Sequence, residues 1–88
     1  MYKIILEKQP ENFLRKLDKI EQERIAKKLN FLEDNPYLGK PLIGKLSGLW
    51  SLRIGDYRAI YRLNNEELII LILKIGHRKN IYDIFKDK

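Results

Sequence analysis

Late in this 88-residue chain, Leu68-Ile69-Ile70-Leu71-Ile72-Leu73 places six apolar side chains in succession. Neighbouring residues of a strand point to opposite faces, so a run that is apolar on both parities belongs in the middle of a sheet, covered on two sides. The run is also far short of the roughly 20 residues that cross a bilayer. The remaining residues must therefore supply flanking strands and a cover.

The segments upstream read as those pieces. Tyr2 to Glu7 mixes apolar and polar residues over a strand length. Pro10 suits the first turn of a helix, where a missing N–H costs nothing. Phe13, Leu14, Leu17 and Ile20 fall on one helical face, and Asp18 with Glu21 has capping-box spacing, so the helix is expected to break near residues 18–21. A second helix follows, with Ile25, Ala26, Leu29 and Leu32 facing inward, and Asn35-Pro36 ends it. Residues 36–48, with Pro36, Gly39, Pro41, Gly44 and Gly48, form an irregular crossing loop. Leu49 to Ile54 and Tyr57 to Leu63 are strands joined by Gly55-Asp56, a pair suited to a type II′ turn. Asn64 to Glu67 is the next turn, and Gly76 to Lys88 is a polar tail that Ile81, Tyr82, Ile84 and Phe85 can dock. The order β-α-α-β-β-β predicts a single α+β domain over residues 1–88, with an N-terminal strand, a helical hairpin and a three-strand antiparallel meander.

Composition narrows the chemistry. There is no cysteine and one histidine, which excludes disulfides, thiolate metal sites and a cysteine nucleophile. No metal or cofactor is expected. The N-terminus lacks the pattern of a signal peptide, so the expectation is a soluble, cytoplasmic protein with no membrane partner. The net charge of +6 is uneven: residues 1–39 hold eight basic and seven acidic side chains, residues 40–88 ten and five. A basic half on a small domain points to a polyanion, either a nucleic acid or an acidic protein.

The hairpin register sharpens that. With Gly55-Asp56 as the turn, Ile54 pairs with Tyr57, Arg53 with Arg58, Leu52 with Ala59 and Trp50 with Tyr61. Trp50, Leu52, Ile54, Tyr57, Ala59 and Tyr61 then share one face; Ser51, Arg53, Arg58, Ile60 and Arg62 share the other. Like charges directly opposite each other cost up to about 1 kcal/mol, a cost that an anion seated between them removes. The planar fork of arginine also suits phosphate. The alternative is that both arginines are solvated, or paired with Glu66, Glu67 or Asp83. A second cluster, Gly76-His77-Arg78-Lys79-Asn80-Ile81-Tyr82, leaves the end of the buried strand with anion donors, a titratable ring and a phenol. Trp50 and Tyr61 are most simply core residues.

Arg53-Ile54-Gly55-Asp56-Tyr57-Arg58-Ala59-Ile60-Tyr61, then a buried strand, then Gly76-His77-Arg78-Lys79-Asn80-Ile81-Tyr82-Asp83, resembles the RelE/ParE toxin superfamily. The tail pattern His-Arg-x-x-x-Tyr is closer to RelE members. The resemblance covers nearly the whole chain. It implies a compact fold like that of microbial ribonucleases, and the toxin half of a type II toxin–antitoxin system. It also implies metal-independent cleavage of messenger RNA in the ribosomal A site, and neutralisation by an acidic, amphipathic RelB-like antitoxin that wraps the toxin. Arg58 is then expected to hold the scissile phosphate, Arg78 to stabilise the leaving oxygen, and Tyr82 to orient or help deprotonate the 2′-hydroxyl. Arg53, His77, Lys79 and Lys45 are expected to contact the RNA. Ribosome-dependent members carry two lysines where this chain has Ser51 and Arg53. A guanidinium keeps its charge but is a poor general base, which leaves the base unassigned, with His77 as a substitute. ParE relatives imply a different outcome on the same fold, inhibition of DNA gyrase without nuclease activity.

Overall fold

The computed structural model describes residues 1–82. Strand β1 (Lys3–Leu6) leads into helices α1 (Lys8–Arg15) and α2 (Lys19–Asn30), and α2 tightens into a 3-10 turn over Phe31–Glu33. A two-residue strand β2 (Lys40–Pro41) and a 3-10 turn (Gly44–Leu46) interrupt the crossing segment before β3 (Leu49–Ile54), β4 (Tyr57–Asn64) and β5 (Ile69–His77). The α+β architecture agrees with the expectation, and β2 is an addition to it. One mixed sheet runs β1-β5-β4-β3-β2, with β1 parallel to β5 and the other pairs antiparallel.

The central position of β5 is as its apolar run requires. Ile70 and Ile72 are fully buried beneath the helices, and Leu73 nearly so, while Ile69 and Leu71 on the opposite parity are half-buried. The second face is therefore only partly covered. β5 also begins one residue later and ends four residues later than its apolar run. Leu68 belongs to the preceding turn, with φ of 56°, and the strand continues through Lys74, Ile75, Gly76 and His77. Those residues pair with Ile60, Ala59, Arg58 and Tyr57, across an irregularity at Ile60/Tyr61. On the other edge, where β1 has already ended, the Gln9 side chain takes over. Its Nε2 donates to the Ile75 carbonyl and its Oε1 accepts from the Ile75 N–H, both at 2.9 Å. A buried strand edge without such partners would leave backbone groups unpaired.

The helices break where expected. Asp18 Oδ1 accepts from the Glu21 N–H at 2.9 Å and caps α2, whereas the Glu21 side chain turns to Arg24 at 3.4 Å rather than completing a capping box. Because α2 restarts in a new register, Ile20 does not extend the apolar face of α1 and is 73% exposed. Ile25, Leu29 and Leu32 form the inward stripe of α2 and its 3-10 extension, and Ala26, one residue round the helix, is exposed. Their partners are Leu52, Ile54, Tyr57, Ala59, Tyr61, Ile70, Ile72 and Ile75, with Trp50 packed against them.

Tyr61 ties the crossing segment to this core. Its hydroxyl donates to the Pro36 carbonyl at 2.9 Å and accepts from the Gly39 N–H at 3.0 Å. A Cβ on Gly39 would lie 2.6 Å from the Ser51 carbonyl oxygen and 2.8 Å from the Tyr61 hydroxyl, so only glycine fits. The β3–β4 register is the one expected from the turn, with Arg53 opposite Arg58 and Trp50 opposite Tyr61. Gly55 has φ of 60° and Asp56 does not share that sign, as a type II′ turn demands.

Candidate functional site

The face of the sheet away from the helices presents Ser51, Arg53 and Arg58 from β3 and β4. Ser51 is 2% exposed, a buried hydroxyl among strands. Arg58 Nη1 donates to Ser51 Oγ at 3.0 Å. The Tyr82 hydroxyl donates to the same oxygen, more weakly, at 3.4 Å. Two groups separated by 24 residues thus meet on one serine. A hydroxyl offers two lone pairs and one proton. With both lone pairs engaged, Ser51 holds the Arg58 guanidinium and the Tyr82 phenol beside each other.

The approach of Tyr82 follows from the end of β5. The Arg78 N–H donates to the Asp56 carbonyl in the β3–β4 turn at 2.9 Å, and the Asn80 N–H donates back to the His77 carbonyl at 3.0 Å. The chain reverses there, Ile81 is fully buried, and Tyr82 remains 39% exposed. Ile81 and Tyr82 thus dock as expected; Ile84 and Phe85, and any ion pair to Asp83, lie outside the described residues.

Arg58, Ser51 and Arg53 line a hollow of about 280 Å³, with Lys28 from α2 and Lys40 from β2 on its walls. The pairing of β2 with β3 stops at Ser51, which leaves that side of the sheet open. Among the described residues the ion pairs are Arg15–Glu11 and Arg24–Glu21. Neither involves Arg53 or Arg58, so these arginines face each other without a carboxylate from that set.

The other sequence-derived residues lie elsewhere. His77 pairs with Tyr57 across the ladder, and their rings lie 5.0 Å apart. Tyr57 belongs to the helix-side core, so the His77 ring is on the opposite face of the sheet from Arg58 and is not a neighbour of Ser51. Arg78 and Lys79 line a separate hollow of about 440 Å³ at the end of the sheet, with Asp56, His77 and Asn80. Lys45 is exposed in the Gly44–Leu46 turn and is not among the residues lining the Arg58 hollow. The sequence singles out neither Lys28 nor Lys40, and it marks Ser51 only as sharing a face with Arg53 and Arg58. The parity that places Arg58 and Ser51 on one face was the available signal for the serine. Lys40 had none, because it comes from an irregular loop.

Two tyrosines next to these elements hold their protons more tightly than usual. Burial is the main cause at Tyr57, helped by the nearby carboxylates of Glu21, Asp56 and Asp18. Burial also raises Tyr61, against a smaller opposing effect of the Gly39 N–H.

Residues 4–82 match the family described as the ParE toxin of type II toxin–antitoxin systems, parDE. The chain belongs to this toxin family. Within the wider RelE/ParE superfamily it is 44% identical over 45 residues to Toxin RelG of Mycobacterium tuberculosis, covering 51% of this chain and 52% of RelG. The chain thus spans about half the length of that relative. The fold is similar to that of the RelBE2 toxin–antitoxin complex from Mycobacterium tuberculosis, with a TM-score of 0.80 and 30% identity over 88% of this chain and 98% of that one. It is also similar to the archaeal RelE–RelB complex from Pyrococcus horikoshii OT3, with a TM-score of 0.71 and 31% identity over 88% and 94%.

Proposed function

We propose that this toxin is an endoribonuclease that cleaves messenger RNA, at the ribosomal A site, and that an acidic RelB-like antitoxin neutralises it. The observation that carries the reading is the convergence of Arg58 and Tyr82 on Ser51 Oγ, on a cationic face of the sheet. A phosphodiester seated there receives N–H donors from Arg58, which Ser51 holds in place, on its non-bridging oxygens. Such donors stabilise the charge that develops as the ribose 2′-oxygen attacks phosphorus. The O2′–P bond forms, the P–O5′ bond breaks, and the products are a 2′,3′-cyclic phosphate and a 5′-hydroxyl. The 2′-hydroxyl proton passes through the Tyr82 hydroxyl, whose lone pairs accept it as its own proton moves on, to solvent water, and the departing 5′-oxygen takes a proton from water. Arg78 lines a separate hollow that shares no lining residue with the Arg58 hollow, and the reading keeps it at the leaving oxygen only for an RNA strand that spans both. Since the His77 ring packs at a tilt against Tyr57 on the other face, the reading assigns it no proton transfer. Two relatives similar in fold occur as complexes with RelB-type antitoxins, which supports the same class of partner here.

A second reading, gyrase inhibition without nuclease activity, draws on the ParE description of the family and on the separation of Arg78 from the Arg58 hollow. Inducing the protein in cells and mapping the 5′ ends of messages beside an Arg58→Ala variant separates the two. Codon-phased cleavage that disappears in the variant is the expected result. Intact messages with stalled replication and a DNA-damage response would favour gyrase.

A further inference from the structure

The Arg58 hollow does not end at Arg58. Lys28 and Arg53 line both it and a second hollow of about 220 Å³ between α2 and the β3–β4 turn, where Arg24, Lys27 and Phe31 are added. Together the walls carry the cations Arg24, Lys27, Lys28, Lys40, Arg53 and Arg58, and no carboxylate. Only Arg24 has an ionic neighbour among the described residues, Glu21 at 3.4 Å, with the arginine exposed and the carboxylate side half-buried. Phe31, at the C-terminal end of α2, is 55% exposed and borders these cations. We infer that the walls form a second RNA subsite. Single-stranded RNA continuing from the phosphate on Arg58 passes Lys28 and Arg53 onto α2, where Lys27 and Arg24 hold phosphates and Phe31 stacks an unpaired base. This rests on the ribonuclease reading of the Arg58 site.

The chemistry favours RNA over a protein segment. A docked amphipathic helix needs a row of apolar anchors in an apolar groove. These walls expose Phe31 in one hollow and Leu38 in the other, set among cations. A cationic track with an isolated aromatic face is the arrangement that binds single strands with little regard to sequence.

Binding of full-length protein to fluorescein-labelled, fully 2′-O-methylated oligouridylates of 3 and 12 nucleotides, measured by anisotropy at several salt concentrations, tests the subsite. The methylated probe cannot be cleaved, so binding is read alone. The 12-mer should bind more tightly than the 3-mer, with a steeper salt dependence. Arg24→Gln combined with Lys27→Gln should reduce the log–log salt slope for the 12-mer by about 1.4, the value for two lost phosphate contacts on a single strand. Phe31→Ala should weaken the 12-mer about tenfold, and Phe31→Trp should not. The 3-mer should be indifferent to all of them. These side chains are exposed, so thermal melting should match the parent; Lys27→Glu provides a second variant with a larger expected loss.

Absent 12-mer binding, or 12-mer affinity and slope unchanged in these variants, overturns the subsite. So does unchanged RNA binding accompanied by weakened binding of an acidic antitoxin chain, which would assign the surface to a protein. Failure of the cleavage reading is separate: message cleavage indifferent to Arg58→Ala removes the nuclease, whereas loss of salt slope on α2 would still establish an RNA track.

Discussion

Ser51 is uncharged, buried, and flanked by two groups whose positions it sets. Replacing it with alanine removes the acceptor for Arg58 Nη1 and for the Tyr82 hydroxyl. A hydrogen bond to a charged group contributes about 1.5–3 kcal/mol. Because that bond aims the guanidinium, Ser51→Ala should lower the single-turnover cleavage rate by about 10- to 100-fold and lower the melting temperature as well, with the protein still folded and still binding its antitoxin. An unaltered rate would show that Arg58 needs no help from this side chain. The chain alone does not mark Ser51, because it carries neither charge nor basicity and meets Arg58 and Tyr82 only in the folded sheet. Arg58 and Tyr82 were legible from the hairpin register and the tail pattern. The placement of His77 was not, because a ring on the helix-side parity becomes visible only once β5 is known to reach residue 77.

The same scale carries a pH prediction. Folding raises Tyr57 and Tyr61 above the usual tyrosine value of about 10. The folded state therefore prefers both phenols neutral. The stability this contributes is fully present below the unfolded value and is lost as pH rises through the higher folded values. Melting temperature should fall as pH climbs above about 10. The slope should be shallower in Tyr61→Phe, which is already less stable at neutral pH because the Gly39 N–H loses its acceptor. A melting temperature flat through that alkaline range would contradict the assignment.

Among the elements, β5 shows both what periodicity reveals and where it stops. Six apolar residues located the centre of the sheet, but Lys74 and Gly76 look like the end of a strand in any pattern based on side chains. The extension is held by the ladder to β4 and by Gln9, a polar residue on a separate helix whose amide acts as a short piece of strand. At the other end, Leu68 sits at φ of 56°, a conformation that costs a side chain about 1–2 kcal/mol. It is 44% exposed, so over half of its surface is covered and the burial lost on removal offsets the strain relieved. Leu68→Gly should therefore leave stability within about 1 kcal/mol of the parent, read as a nearly unchanged urea midpoint at unchanged slope. A lower midpoint would mean that the leucine packs more than its exposure indicates. The two-residue β2 had no periodic signal at all, being fixed by Tyr61 and Gly39 from outside the segment.

At the scale of the whole molecule, one side of the sheet is closed by helices and the other is left half-open, with cations from β2, β3, β4 and α2 around Ser51. The charge asymmetry between the two halves of the chain points to a polyanion partner, and the family match over residues 4–82 places the chain among toxins of type II toxin–antitoxin systems. The inclusion of Lys28 and Arg24 did not follow from that asymmetry, since both come from the nearly neutral half. The central claim is that this open face cleaves RNA through Arg58. Its most direct test is the single-turnover cleavage of ribosome-bound message by purified protein, comparing parent and Arg58→Ala in the presence of EDTA with magnesium held at the level that keeps ribosomes intact. The account predicts 2′,3′-cyclic phosphate ends and a rate about 10²- to 10³-fold lower in the variant. Equal rates in the two proteins, or product ends bearing a 5′-phosphate, would contradict it.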